Sequence, residues 1–82
     1  MSRVVIVCAD DWEGLFIDGF LIDESHKLGE GYHRVYLLRK AEQYKFTSLD
    51  VEERFTDEKE EEWLEDRGGF PDTLQAFDKI GK

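Results

Sequence analysis

Residues 3–9, RVVIVCA, contain an unbroken run of apolar, mostly β-branched side chains. Such a run predicts a strand buried on both faces, and therefore a central one. Two shorter apolar runs, 12–17 and 20–24, flank Asp18-Gly19. An Asp-Gly pair between strand-like runs predicts a hairpin, because a type I′ turn needs positive φ at both central residues. The alternation in these two runs is imperfect. Leu15, Phe16 and Ile17 are consecutive, as are Phe20, Leu21 and Ile22.

After a loop over 25–31, the period changes. Val35, Leu37, Leu38, Ala41 and Tyr44 gather on one side of a helix over Tyr32 to Tyr44. Residues 46–55 return to period two, as Leu49-Asp50-Val51-Glu52, which predicts a half-exposed strand at or near an edge. A second helix follows over 57–66. Thr56 or Asp57 can cap it, and with Asp57 as the cap Glu60 stands at the capping-box position. Its only apolar residues are Trp63 and Leu64, and Gly68-Gly69 ends it. In the tail, Leu74, Phe77 and Ile80 recur every three residues, predicting a short helix starting near Pro71.

The element order is β-β-β-α-β-α with a helical tail. It predicts one α+β domain over 1–82: a small, mostly antiparallel sheet with one amphipathic helix packed on a face. The fourth strand follows a crossover helix and would run parallel to the first or the third. Trp63, Leu64, Phe70, Leu74 and Phe77 are expected to close one side of the core.

Charge narrows the classes of function. The net charge is −9. Residues 25–48 are net basic, whereas residues 49–66 carry ten acids against Arg54 and Lys59. Direct nucleic-acid binding and an anionic membrane surface are both disfavoured, because each needs clustered cations. No apolar stretch approaches the roughly 20 residues of a membrane span, and a cytoplasmic location is expected. Cys8 is the only cysteine, so no internal disulfide forms.

Three constellations bear on chemistry. Asp10-Asp11 follows an apolar strand, where paired carboxylates can hold Mg²⁺. An apolar run followed by two aspartates resembles the first strand of receiver domains. Here a hairpin follows instead of a βαβ unit, and the chain is too short for that family's remaining strands. The favoured reading is a polar turn, with a small metal-dependent enzyme as the alternative. His26 and His33 share no zinc-type spacing with Cys8. No P-loop, G-x-S-x-G or G-x-G-x-x-G occurs, and no cofactor is expected.

The acidic segment is the third. Carboxylate rows arranged like phosphates compete for basic grooves. Asp50, Glu52, Asp57, Glu58, Glu60, Glu61, Glu62, Glu65 and Asp66 would form the rows, and Trp12, Trp63 or Phe70 would be an apolar anchor; Glu58, Glu61, Glu62, Glu65 and Asp66 with Trp12, Trp63 and Phe70 are the candidate partner-binding residues. The expected function is a macromolecule-binding accessory or inhibitor module whose partner is a protein with a basic surface. A homodimer or structural oligomer without catalysis is the other alternative.

Overall fold

The computed structural model describes residues 3–28 and 33–80, with only the backbone for His33 and Arg34. The loop glycines Gly29 and Gly31, and Tyr32 at the expected helix start, lie outside the described residues. The elements are β1 (Val4–Cys8), β2 (Glu13–Ile17), β3 (Phe20–Ser25), α1 (His33–Tyr44), β4 (Val51–Phe55), α2 (Glu58–Arg67) and α3 (Leu74–Asp78). They build the expected α+β architecture, a four-stranded sheet in the order β3-β2-β1-β4.

β1 is interior, as its apolar run requires. It pairs antiparallel with β2 and parallel with β4, with Val4 opposite Val51 and Cys8 opposite Phe55. Val4, Val5, Ile6 and Val7 are buried. Asp18 and Gly19 take φ of 52° and 88°, so the β2–β3 hairpin has the positive-φ turn that Asp-Gly favours. The Asp18 carboxylate also accepts the Arg3 N–H at 2.9 Å, tying the turn to the start of β1. Of the three consecutive apolar residues of β3, Leu21 packs on one face of the sheet and Ile22 on the other, while Phe20 stays 62% exposed. The β2–β3 register shifts between Leu15 and Phe16, so Leu15 faces Asp23 while Phe16 faces Leu21.

Both faces of the sheet are covered, as the two-sided burial expected of β1 requires. On one face Val4, Ile6, Leu15 and Ile17 pack with Leu28 and Phe46, joined by Leu37, Ala41 and Tyr44 of α1. On the other, Val5, Val7 and Phe16 pack with Leu64, Phe70, Leu74 and Phe77, joined by Trp63. The Trp63–Phe77 grouping read from the sequence is therefore a second half of the core.

Several boundaries differ from the sequence expectation. The strand of 46–55 begins only at Val51, because Phe46 is core beneath α1 and Thr47–Asp50 form a self-capped 3₁₀ turn. Tyr36 packs with the α1-side core, while Val35 and Leu38 stay exposed. The apolar stripe of α1 is thus rotated from the one predicted, and the Tyr36 hydroxyl donates to Asp23 on β3 at 2.8 Å. The tail helix starts at Leu74 and not near Pro71, because the Thr73 hydroxyl caps it by accepting the Ala76 N–H. Residues 72–74 instead lie along the start of β3, with Leu21 N–H donating to the Asp72 carbonyl and Leu74 N–H to the Gly19 carbonyl.

The second helix has the predicted ends. Asp57 and Glu60 form a reciprocal capping box, and Gly68 ends the helix at φ 75°. Among the described residues, no helix is long and apolar enough to cross a membrane.

Candidate functional site

Parallel pairing brings the C-terminal ends of β1 and β4 side by side. The ladder extends one step further, with Thr56 N–H donating to the Cys8 carbonyl at 3.3 Å. Both chains then turn away, β1 into Ala9-Asp10-Asp11 and β4 into α2. The space left between them is an open hollow of about 760 Å³. Cys8, Ala9, Phe55 and Thr56 form its floor, while Glu58, Glu61, Glu62 and Glu65 rise along α2 as one wall. The spacing of those four glutamates follows from helix geometry, since residues three and four apart share a face.

One carboxylate in this wall is already engaged. Glu61 Oε1 accepts the Asp10 N–H at 2.9 Å and also the Thr56 hydroxyl, so it ties the two turns together. Asp10 opposes α2 through its backbone. Asp11 is exposed, and its backbone and carboxylate oxygens lie 3.0 and 3.4 Å from His26 Nδ1. Ala9 N–H donates to the Trp12 carbonyl, closing the turn. The Asp10-Asp11 pair is therefore part of the β1–β2 turn. Among the described residues, no group of three or more His, Cys, Asp or Glu is arranged to hold a metal ion.

A smaller recess of about 220 Å³ adjoins the hollow and shares Glu61 and Glu65 with it. Trp12 and His26 line it, their rings edge to face with centroids 5.1 Å apart. The outer face of Trp12 is thus near the acidic wall. Its indole N–H points inward, donating to Glu24 Oε1 at 2.8 Å.

The other residues expected at the site fall elsewhere. Phe70 is only 7% exposed, and its ring meets Phe16 and Phe77 at centroid distances of 5.7 and 5.5 Å. It is core and offers no surface anchor. Trp63 is half-buried against that core, with the Arg67 guanidinium 5.2 Å above its ring. Asp66 is exposed and lines neither recess.

Three groups outside the expected partner-binding set shape the site. Glu60 is 6% exposed, so it is absent from the acidic surface. One oxygen accepts the Asp57 N–H as part of the cap; the other accepts Arg54 Nη2 at 3.0 Å. Arg54 also donates to Asp78, and its guanidinium lies 5.0 Å from the Phe77 ring centre. Burial opposes its charge, but Asp78 and Glu60 outweigh that and raise its pKa. Arg54 was visible in the sequence as one of only two bases among ten acids, on the same strand face as Glu52. Phe55, which is 73% exposed, supplies the apolar floor that Phe70 does not.

The Cys8 thiol at the hollow's floor is held in its protonated form near neutral pH. Burial raises its thiol pKa, and Glu13 and Glu53 add to the shift by disfavouring a nearby anion. What the arrangement offers is carboxylate acceptors around an exposed phenyl ring, a combination suited to a cationic, partly apolar group. Compared with known proteins, the chain matches no family, no curated protein and no solved structure.

Proposed function

We propose that this protein is a binding module that engages a basic protein surface at the hollow between α2 and the ends of β1 and β4. The observation that carries this reading is the placement of Glu58, Glu62 and Glu65 around the exposed ring of Phe55. Carboxylates in a concave setting focus the field on an incoming cation, and the ring adds apolar contact.

The test is affinity capture at low salt, run in parallel with the parent chain and a Glu58→Lys/Glu62→Lys/Glu65→Lys variant. A partner held by the parent, lost by the variant and released at a defined salt step supports the reading. Equal retention by both removes the hollow from consideration.

A further inference from the structure

β4 is an edge strand, and among the described residues no strand lies beyond it. The N–H and C=O of one residue point to the same side of a strand, and successive residues alternate. Thr56 donates to β1, so Glu52 and Arg54 face β1 as well, while Val51, Glu53 and Phe55 direct their backbone groups outward. The Val51 N–H turns back onto the Ser48 carbonyl. The outward backbone groups of Glu53 and Phe55 make no hydrogen bond to a described residue.

This open edge runs between two recesses. Beside it is an apolar groove of about 400 Å³ lined by Leu37, Leu38, Phe46 and Val51, with Glu53 at its rim. At its C-terminal end, Phe55 opens into the acidic hollow beside Glu58 and Glu62. Large apolar side chains stand in water along this side, with Leu38 66%, Leu49 94% and Phe55 73% exposed.

We propose that β4 takes an extended segment of a partner protein by strand addition, a segment that alternates apolar and basic residues. Its main chain pairs with Glu53 and Phe55. Its apolar side chains cover the groove and its basic ones meet Glu58 and Glu62. Charge selects this occupant over a second copy. Antiparallel self-pairing centred on Glu53 would set that carboxylate against itself, between chains of net charge −9. The cations on this edge do not offset that repulsion. Arg54 is committed to Glu60 and Asp78, and Arg3 already pairs with Glu52 at 3.3 Å. The inference rests on the basic-partner reading for the sign of charge alone; the open edge is independent of it.

The test uses a capped Lys-Val-Lys-Val-Lys-Val-Lys peptide and backbone amide exchange followed by NMR. Binding should slow exchange at the Glu53 and Phe55 amides by about tenfold or more. Glu53→Pro removes an outward donor while leaving the bonds to β1, because proline is tolerated on the open side of an edge strand. It should weaken binding at least about tenfold. Phe55→Lys, at an exposed position, is the second variant; it should weaken binding with the fold unchanged.

Peptide-induced shifts at Glu58 and Glu62 without protection at Glu53 and Phe55 would overturn strand addition and leave the acidic hollow standing. Loss of binding in Glu53→Pro and Phe55→Lys but not in Glu58→Lys/Glu62→Lys would uphold strand addition and overturn the contact of its basic residues with Glu58 and Glu62. Protection of the same amides without peptide, growing with protein concentration, would show that a second copy occupies the edge and overturn the proposal. No detectable binding would overturn it outright.

Discussion

Glu24 Oε1 accepts two N–H groups from distant parts of the chain, the Trp12 indole at 2.8 Å and the Phe70 backbone at 3.0 Å. One carboxylate on β3 therefore fixes both the orientation of Trp12 and the path of the segment that brings Phe70 over the sheet. Glu24→Ala leaves two partly buried donors unsatisfied and should cost about 2 kcal/mol or more. Glu24→Gln keeps an acceptor oxygen and should cost less. Urea unfolding checks the order, and equal stability of Glu24→Ala and the parent would refute the clamp.

The Arg54–Glu60 pair gives a second expectation. Arg54→Met strands the Glu60 carboxylate in a buried position and should destabilise by about 2–3 kcal/mol, less than a fully buried pair because Arg54 is partly exposed. Adding Glu60→Met to that variant should cost far less than the two single changes summed. A double-mutant cycle by urea unfolding measures the coupling, and additive values would mean the pair contributes nothing jointly.

Tyr36 sets an alkaline limit. Burial, followed by the hydrogen bond to Asp23, raises its phenol pKa in the folded chain. Below the ordinary tyrosine value of about 10, both folded and unfolded chains hold the proton, and this contribution to stability is complete. Above that value the unfolded chain releases its proton first, so stability falls as pH rises. Tyr36→Phe should lower stability at neutral pH by roughly 1 kcal/mol and flatten the alkaline decline. Thermal unfolding between neutral and strongly alkaline pH reads both effects; an unchanged slope in the variant would count against the assignment.

Cys8 should alkylate slowly at neutral pH compared with glutathione, with a pH midpoint above that of an ordinary thiol. Glu53→Gln removes one nearby negative charge and should bring the midpoint down. Rates with iodoacetamide across pH decide this. A midpoint at or below that of glutathione would show that the thiol is not shielded as described.

The sequence announced what depends on neighbours. Val4 to Val7 are consecutive and β-branched, which fits only a strand covered on both sides, and Asp18-Gly19 and Asp57–Glu60 carry their turn and cap chemistry within four residues. The misreadings arise where distant residues decide. Phe70 looked free to anchor a partner, but its ring fills the space beside Gly14, where an added Cβ would lie 2.6 Å from it. Glu60 looked like one more surface acid until Arg54, six residues earlier, drew it inward. Pro71 suggested a helix start, yet the Thr73 hydroxyl took that role once residues 72–74 lay along β3. The acidic wall was legible as a charge run. Its floor was not, because Cys8 and Phe55 meet only through the parallel pairing of β1 with β4.

That pairing also orders events in time. β1, β2 and β3 form a meander from nearby residues, whereas β1 must wait for a strand far along the chain before its second side is covered. Contacts between distant residues close slowly. During refolding, amides in β2 and β3 should gain exchange protection before Thr56 does, and pulse-labelling would reveal the opposite order if β4 docked first. In the interval the most apolar strand of the protein is itself an unpaired border, open to any strand that reaches it before residues 51–55 do.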